Sequence, residues 1–479
     1  MDRRDFVKSS FLAAGGMAMA FASQVSEGKS GSKYFGFGPV LLRRVRLIDL
    51  ESGKSDERES DIIIEKGRIS KIAPAGEVPV AGMQIIEGKG RFALPGLIDC
   101  HAHTCGFFMT EMPGPSDLTW IPRQIGLNYR SHLRSGVTTV RDMMAPLRMI
   151  LYIRSRAEDP RSGYPRMVCS GPMLTVANGY PPHVPPDLAW VRGLFGPLRI
   201  EVKDGNDAGE WVDRVAEAGV DWIKIGYSSV RYDSARTPLN TPSPELFRAI
   251  VDRAHHHNLP VAVHHTWLND LRRLVELPFD TLEHLTGDAG IDPETLGKIE
   301  KRNLPVTTNL EVFAFLDEPE KHLAKIEQGI APLMPKAEKC MTAVCKDIIA
   351  GKDIVAGNPP VPLFSLKVLR GMADREAVNL KLLSERGILI GSATDAGTHL
   401  MFGTLPDEIC HMARSGMSIA AVLRSATSDA AKLLRINDIG LIQTGFRADL
   451  VLYRGDPLKE IEAIKSPDLV IRDGVLINA

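Results

Sequence analysis

Strand-like apolar runs alternate with helical segments through the middle of this 479-residue chain, from Leu94 to about Leu434. Helical periodicity separates several of the runs, for example over Pro244–Asn258 and Ala373–Arg386. Strands that alternate with helices form a parallel sheet. Eight repeats predict an α/β fold with a closed (β/α)8 TIM barrel, whose active site lies at the C-terminal ends of its strands. The runs are the one ending near His103, Gly136–Asp142, Arg166–Gly171, Asp221–Gly226, Leu259–His265, Asp280–Leu285, Leu304–Asn309 and Gly387–Asp395.

The two flanks of the chain have a different pattern, in which short apolar stretches are separated by Gly and Pro turns. The N-terminal flank contains "SDIIIEKGRISKIAP" and the C-terminal flank contains "DLVIRDGVLIN". Such spacing is typical of antiparallel strands and hairpins. We therefore expect residues 39–94 and 435–479 to form one small composite β-sandwich domain, with a barrel domain at 95–434 inserted between them.

One connection is too long for a simple βα unit. Residues 310–372 carry extra helical pattern and a Pro-rich turn at Asn358–Pro362. Long inserts on a barrel often act as lids or specificity elements. A packing excursion without a role in function is an equally good interpretation, so both stay open.

The N-terminus has the layout of an export signal. Residues 1–22 begin with Arg3-Arg4, continue through Phe6 and Lys8 into a short apolar stretch, and end in small residues. The apolar stretch is too short to span a bilayer. The paired arginines resemble a twin-arginine signal, which predicts a periplasmic or secreted protein with no integral membrane anchor after cleavage.

Charge and cysteine content limit the possible partners. Lys plus Arg (58) nearly equals Asp plus Glu (59), so the net charge of −1 gives no electrostatic argument for binding nucleic acid or an anionic membrane. A small-molecule substrate is the expected partner, and homo-oligomer formation stays open. Six cysteines without a Cys-x-x-Cys pair argue against a disulfide scaffold, although pairing of Cys340 with Cys345 is not decided.

Residues suited to metal binding recur on the predicted barrel strands, mostly at their C-terminal ends. Side chains alternate along a strand, so His101 and His103 lie on one face and both can reach one ion. Each of the other candidates lies on a different strand. The candidates are His101, His103, Lys224, His264, His284 and Asp395.

These residue types suit a hydrolytic metal centre. Neutral imidazoles bind Zn²⁺ and similar ions, and a carboxylate both completes a site and accepts a proton from bound water. Burial lowers the pKa of a lysine, and its free amine can add CO₂ to become a carbamate that bridges two ions. Such a pair generates hydroxide at neutral pH and polarises a scissile carbonyl.

Neighbouring polar residues have less specific interpretations. His265 points away from the face that His264 shares with the other candidates, so we expect it to pack in the core. The three histidines at His255–His257 lie on a predicted helix and favour a solvated face. Asp99 and Glu283 flank candidate ligands with the opposite side-chain direction, which favours supporting or structural roles.

The sequence resembles the amidohydrolase superfamily of metal-dependent hydrolases. It is most similar to the imidazolonepropionase-like branch, which includes Xaa-Pro dipeptidases and fungal ochratoxin-type carboxypeptidases. The similarity covers nearly the whole mature chain and is specific for the family, but not for a substrate. Its motifs are "LPGLIDCHAH", "LRSGVTTVRDM", "PRMVCSGPMLT", "AGVDWIKIG", "LPVAVHH", "LEHLTG", "SATDAGT", "ATSDAAKLLRI" and "GLIQTGFRADLVLYRGDPLKEI".

The resemblance implies two divalent metal ions, with Zn²⁺ the usual ion. His101, His103 and Asp395 would bind one ion, and His264 and His284 would bind the other. Lys224 would be carboxylated and bridge them. Asp395 would also be the catalytic base.

Three departures from the family pattern surround the expected substrate side. The chain has "GYSSVRYD" after the strand-four lysine, "VHHTW" in strand five and "NGYPPHV" in the third-strand loop, where relatives have other residues. We assign weak substrate-contact predictions here to His183, Tyr227, Arg231 and His399. An arginine such as Arg231 would suit a free carboxylate.

The leading functional hypothesis is an amidohydrolase that cleaves an amide C–N bond in a dipeptide or an N-acyl amino acid. The alternative is a lactonase or organophosphate ester hydrolase, because the same binuclear site attacks esters. A deaminase is disfavoured, since "HHTWLND" lacks the glutamate that those relatives place after the fifth-strand histidine. A non-catalytic binding protein is disfavoured by the full ligand set.

Overall fold

The structure is a computed structural model that describes residues 38–105, 121–182, 195–328, 333, 335–356, 361–397 and 401–477. The predicted export signal at 1–22 lies outside the described residues. Within the described part of the chain, no helix is both long and apolar enough to cross a bilayer.

Both flanks of the chain contribute to one nine-stranded sheet. Its order is β21-β20-β19-β6-β1-β3-β4, and β2 and β5 also pair with β1. Strand β19 runs antiparallel to β6, with Leu450 opposite Pro95, so the C-terminal flank is joined to the N-terminal flank. The strands are β1 (Val40–Asp49), β2 (Lys54–Ser55), β3 (Ser60–Glu65), β4 (Arg68–Pro74), β5 (Gln84–Glu87), β6 (Phe92–Pro95), β19 (Leu450–Tyr453), β20 (Leu469–Arg472) and β21 (Val475–Ile477).

Strand β1 changes partners at an irregularity between Leu42 and Val45. Its first half pairs with β3 and β5, and its second half pairs with β6. Alternate apolar side chains of both flanks, including Leu42, Leu450 and Ile471, form one hydrophobic cluster. The flanks therefore share a core, while the sandwich architecture and the domain boundaries stay predictions.

The middle of the chain forms two parallel sheets. All eight predicted strand runs contain a strand, and β10 and β11 are additional. One sheet has the order β7-β8-β9 and the other has β11-β10-β12-β13-β14-β15-β18. The strands are β7 (Leu97–Ala102), β8 (Val137–Asp142), β9 (Arg166–Cys169), β10 (Met173–Thr175), β11 (Arg199–Glu201), β12 (Ile223–Gly226), β13 (Val261–His264), β14 (Thr281–Glu283), β15 (Val306–Thr307) and β18 (Ile390–Gly391).

Backbone hydrogen bonds connect both edges of the three-stranded sheet to the seven-stranded sheet or the segments beside it. The Asp221 amide donates to the Cys169 carbonyl at 2.9 Å, which links β9 to the segment that enters β12. At the other edge, the Asp395 amide donates to the His101 carbonyl at 2.9 Å. The parallel strands with intervening helices fit a TIM-barrel-like α/β fold.

Thirteen α-helices lie in the described residues. Their ends follow local signals: Ser243 caps α4 by accepting a hydrogen bond from the Leu246 amide, and Pro244 occupies the first helical turn. The helices are α1 (Ile121–Arg134), α2 (Leu147–Ala157), α3 (Gly205–Glu217), α4 (Pro244–His256), α5 (Leu268–Leu274), α6 (Pro293–Arg302), α7 (Leu310–Asp317), α8 (Pro319–Glu327), α9 (Pro335–Ile349), α10 (Leu366–Glu385), α11 (Leu405–Arg414), α12 (Ile419–Ser425) and α13 (Ser428–Leu433). Two short 3₁₀ helices span Pro160–Ser162 and Ile461–Lys465.

The predicted insertion at 310–372 contains helices α7, α8 and α9, a small hairpin and the start of α10. The hairpin pairs β16 (Ile354–Ala356) with β17 (Val361–Phe364). Apolar side chains of the insertion pack with Tyr232 and Trp267 in a hydrophobic cluster separate from the main core. All six cysteines are buried, and no disulfide joins any of them, including Cys340 and Cys345 of α9.

A buried ion-pair network joins the parallel strands to the flanking sheet. Arg166 of β9 pairs with Asp449, and its Nη2 lies 2.6 Å from Asp473 Oδ1. Only 3% of the Asp449 side chain is exposed. We predict that Arg166→Leu lowers the free energy of unfolding by about 3 kcal/mol, because it leaves the buried Asp449 carboxylate without its ion-pair partner.

Urea denaturation at fixed metal content measures this effect. Arg454→Leu is the matched control, since Arg454 also pairs with an aspartate, Asp468, but its side chain is 79% exposed. The free energy of unfolding of Arg454→Leu should fall by less than about 1 kcal/mol. Equal losses in the two variants would contradict the structural role of Arg166.

Candidate metal centre

All six predicted metal ligands line one cavity at the C-terminal ends of the parallel strands. His101 lies in β7 and His103 follows it, so strand alternation turns both side chains to the same face. Lys224 lies in β12 and His264 ends β13. The other described residues that line the cavity are Met144, Met173, Tyr180, Pro181, Tyr232, Thr266, Asn309, Val312, Phe313 and Leu369, while His284 and Asp395 complete the ligand set.

His101, His103 and Asp395 form the tightest group in the cavity. One ligand atom from each residue lies within 4.8 Å of the other two. His103 Nε2 is 3.0 Å from Asp395 Oδ1, and His101 Nε2 is 3.6 Å from the same oxygen. Two imidazoles and a carboxylate at these separations suit one divalent ion.

Two of the candidate ligands have an unusual backbone conformation. His284 has φ +73° and Asp395 has φ +54°, in the left-handed region that few residues other than glycine adopt. The Asp395 amide donates to the His101 carbonyl at 2.9 Å, and the His284 amide donates to Thr307 Oγ1 at 3.2 Å. Such conformations persist where the surroundings hold them and are often found at functional sites.

His264 and His284 form a second group. Their ring centroids are 4.9 Å apart, and the ring of Tyr180 stacks on His264 at 3.8 Å. Burial lowers the pKa of both histidines well below the usual value of 6.5. Both imidazoles are therefore neutral at physiological pH, which is the form that binds metal.

Lys224 fits a bridging carbamate. Its side chain is fully buried, and no atom of the described residues accepts a hydrogen bond from its Nζ. Burial lowers the pKa of Lys224 to about 7, although Glu283 opposes this change. A large share of the amine is therefore uncharged near neutral pH and able to add CO₂.

A buried hydrogen-bond network orients His101. Its Nδ1 lies 2.5 Å from Glu283 Oε2, while Arg141 Nη2 donates to both Glu283 oxygens at 2.8 and 2.9 Å. Burial alone would raise the pKa of Glu283, but Arg141 and Lys224 hold it well below 4.5. The ionised Glu283 accepts a hydrogen bond from the Nδ1–H of His101, which leaves Nε2 without a proton and facing Asp395.

Asp99, two residues before His101 in β7, supports the same end of the site. Its carboxylate accepts hydrogen bonds from the Thr394 amide at 3.1 Å and the Thr394 hydroxyl at 2.7 Å. It also accepts the His101 amide at 3.2 Å. Asp99 thereby ties β7 to the residue that precedes Asp395.

Two of the four predicted substrate contacts, Tyr227 and Arg231, are not among the described residues that line the cavity. Tyr227 lies in the main hydrophobic core, 6.2 Å from the Phe247 ring, and is not among the described residues lining the cavity. Strand alternation explains this placement, because Lys224 and Tyr227 are an odd number of residues apart. Arg231 is also absent from the described lining; its amide donates to the Thr237 carbonyl in the loop after β12. His183 and His399 lie outside the described residues.

The remaining histidines considered in the sequence have other partners. His265 is buried, with Nε2 3.3 Å from Thr286 Oγ1, as expected for a core residue. His255 and His257 lie at the C-terminal end of α4 and pair with Asp280 and Asp213 at 2.8 and 2.7 Å. These two belong to a partly exposed surface and do not line the cavity described here.

Two tyrosines of the cavity were missed by the sequence analysis. The Tyr232 hydroxyl lies 3.3 Å from His264 Nε2 and 2.8 Å from Thr266 Oγ1, and Tyr180 stacks on the same histidine. Both tyrosines lie in loops after strands, where no periodicity indicates side-chain direction. The only signal was their position after β10 and β12.

The fold and the chemistry of this cavity define a metal-dependent hydrolase. The sequence model of the amidohydrolase family matches residues 92–477, and the chain belongs to that family. Enzymes of this family generally bind divalent metals and act on small molecules.

Individual relatives are distant. The chain is 25% identical over 436 residues to an uncharacterised protein of Mycobacterium tuberculosis, covering 90% of this chain and 96% of the relative. It is 21% identical to a 5-methylthioadenosine/S-adenosylhomocysteine deaminase of Halothermothrix orenii, covering 86% and 85%. A crystal structure of a Xaa-Pro dipeptidase with bound methionine has a TM-score of 0.71 and 21% identity, covering 92% and 100%.

The Glu283 network generates a prediction about metal affinity. Glu283→Gln keeps the side-chain size but removes the negative charge of the group that accepts hydrogen bonds from His101 Nδ1 and from Arg141. We expect metal affinity to fall roughly 10- to 100-fold. Competition with a chelator, followed by metal analysis, measures it.

Glu276→Gln is the control, because Glu276 is an exposed residue that pairs with Lys298. It should bind metal as the unsubstituted protein does. Unchanged affinity in a folded Glu283→Gln protein would refute the orienting role of Glu283.

Proposed function

We propose that the protein hydrolyses the amide C–N bond of a small substrate, such as a dipeptide or an N-acyl amino acid. The observation that carries the proposal is the convergence of four imidazoles, Asp395 and the buried amine of Lys224 on one cavity. The fold likeness to a Xaa-Pro dipeptidase is consistent with this chemistry.

The proposed ligand assignment follows the two groups in the cavity. His101, His103 and Asp395 would hold one ion, and His264 and His284 would hold the second, with carboxylated Lys224 between them. When bound, two divalent ions, expected to be Zn²⁺, would activate a water nucleophile and polarise the scissile carbonyl.

Two residues of the chain have defined proton roles in this proposal. Burial alone would raise the pKa of Asp395, but His284, His103 and His101 hold it well below 3.8, so it is ionised and ready to accept a proton. Burial raises the pKa of Tyr232, which stays protonated and can donate a hydrogen bond to the substrate. Proton transfer to Asp395 and then to the leaving amine completes the hydrolysis.

Two further proposals concern the closure of the barrel and the cellular location of the protein. We infer that the eight strands β7, β8, β9, β12, β13, β14, β15 and β18 close into one barrel, supported by the backbone hydrogen bonds from both edges of the three-stranded sheet to the segments around β12 and β18. We further propose that residues 1–22 direct twin-arginine export to the periplasm or the medium. Export after folding would allow metal loading beforehand.

Deamination is the competing reaction suggested by a curated relative. After His264 the chain continues with His265, Thr266 and Trp267, and no glutamate occurs before α5 ends at Leu274. The chain therefore lacks the glutamate that the family resemblance leads us to expect after the fifth-strand histidine of a deaminase, which favours hydrolysis.

Substrate screening tests the proposed bond. Protein reconstituted with Zn²⁺ is assayed against dipeptides, N-acyl amino acids, lactones, organophosphate esters and aminopurines. We expect turnover of an amide and its loss after chelation. Turnover of esters or lactones with no turnover of any amide would overturn the assignment.

Lys224→Ala tests the bridging role. We expect metal content to fall from two ions to one or none, and amide turnover to fall at least about 100-fold, because the bridging ligand is lost. Metal analysis and steady-state kinetics measure both. Lys459→Ala is the control, since that side chain is 83% exposed, and it should retain both ions. Retention of both ions and of activity by Lys224→Ala would refute the bridge.

A further inference from the structure

Charge is confined to one part of the cavity. Apart from the histidines, Lys224 is the basic and Asp395 the acidic side chain among the described residues that line it, and both belong to the candidate metal centre. The four histidines there are also candidate metal ligands. The rest of the lining is either apolar or uncharged, which leaves no described ion-pair partner for a charged substrate side chain.

The apolar lining comes from several separate segments. We call the following residues the apolar wall: Met144, Met173, Val312, Phe313 and Leu369. Val312 and Phe313 belong to α7 of the insertion, and Leu369 belongs to α10. The insertion therefore contributes directly to the same cavity as the metal ligands.

The part of the wall on α7 is fixed in place. Glu408 of α11 accepts hydrogen bonds from the Leu310 and Glu311 amides at 3.1 and 2.6 Å, at the start of α7. Val312 and Phe313 are 4% and 3% exposed and pack in the hydrophobic cluster of the insertion. A wall held by capping and packing is preformed before substrate binds.

We propose that the apolar wall binds an uncharged, branched or aromatic side chain of the substrate, and that Phe313 limits the size of that side chain. The inference rests on the proposed amide hydrolysis and names its substrate class. An apolar group gains by burial against Met, Val, Phe and Leu side chains, and the flexible methionines adapt to its shape. A charged group would lose its hydration without gaining a partner.

Substrates that differ in one side chain test the proposed substrate class. Zinc-reconstituted protein is given N-acetyl amino acids and dipeptides that differ only in one side chain: Val, Leu, Phe, Trp, Asp or Lys. We expect kcat/KM for Leu or Phe to exceed that for Asp or Lys by roughly 100-fold. Equal or higher values for Asp or Lys would overturn the inference and leave amide hydrolysis intact.

Equilibrium binding separates failure of the wall from failure of the reaction. Calorimetric titration with N-acetyl-phenylalanine and N-acetyl-aspartate is carried out on the same protein. Preferential binding of the phenylalanine compound without any amide turnover would refute the proposed function and support the wall. Equal binding of both compounds would overturn the wall.

Phe313→Ala tests the residue that limits size. The ratio of kcat/KM for Trp over Val substrates should rise at least roughly tenfold, because the cavity gains the volume of the ring. Leu316→Ala is the matched control: Leu316 is buried in the same helix and cluster but is not among the described lining residues. The Trp-over-Val ratio of Leu316→Ala should stay within roughly threefold of the ratio of the unsubstituted protein.

A ratio of substrates is insensitive to the fraction of folded enzyme, so loss of stability in either variant does not obscure the result. The same ratio in Phe313→Ala as in the unsubstituted protein would refute the role of Phe313. For variants without amide turnover, the binding ratio of N-acetyl-tryptophan to N-acetyl-valine gives the same decision.

Discussion

Burial of the Lys224 side chain at the floor of the cavity is the constraint on which the candidate site depends. An ammonium in this position would lose its hydration, so burial lowers the pKa of Lys224 to about 7. The same cause keeps His264 and His284 neutral. One physical effect therefore prepares a lysine for carboxylation and histidines for metal binding, while Glu283 stays ionised and accepts hydrogen bonds from Arg141.

The parallel fold converts distant sequence positions into one site. Gly226 of β12 lies opposite His264 of β13, and His264 lies opposite Glu283 of β14. Since the carboxyl ends of these strands meet at one edge, His284 emerges beside His264. The left-handed backbone of His284 and Asp395, held by local hydrogen bonds, belongs to the same arrangement. The insertion then adds an uncharged wall next to the polar floor.

The sequence predicted the parts of the fold that depend on periodicity. All eight strand runs are strands, because buried parallel strands have apolar runs that few other elements share. The shared face of His101 and His103 followed from strand alternation. Strands β10 and β11 were missed; β10 follows β9 after only three residues, so the alternation of strands with helices does not mark it.

Residues in loops could not be placed from the sequence. Tyr232 and Phe313 enter the cavity through tertiary contacts of a loop and of the insertion, which leave no local signal. Tyr227 was chosen for its nearness to Lys224 along the chain, whereas alternation places it in the core. The position of a residue along a strand predicted the direction of its side chain, whereas nearness in sequence to a candidate ligand did not.

Anomalous X-ray diffraction at the zinc edge from crystals of the reconstituted protein tests the central claim most directly. The account predicts two peaks in the cavity, one about 2.0–2.2 Å from ligand atoms of His101, His103 and Asp395 and one at that distance from His264 and His284. Density for a carbamate on Lys224 should join them. A single peak away from these residues, or an unmodified Lys224 beside two ions, would contradict it.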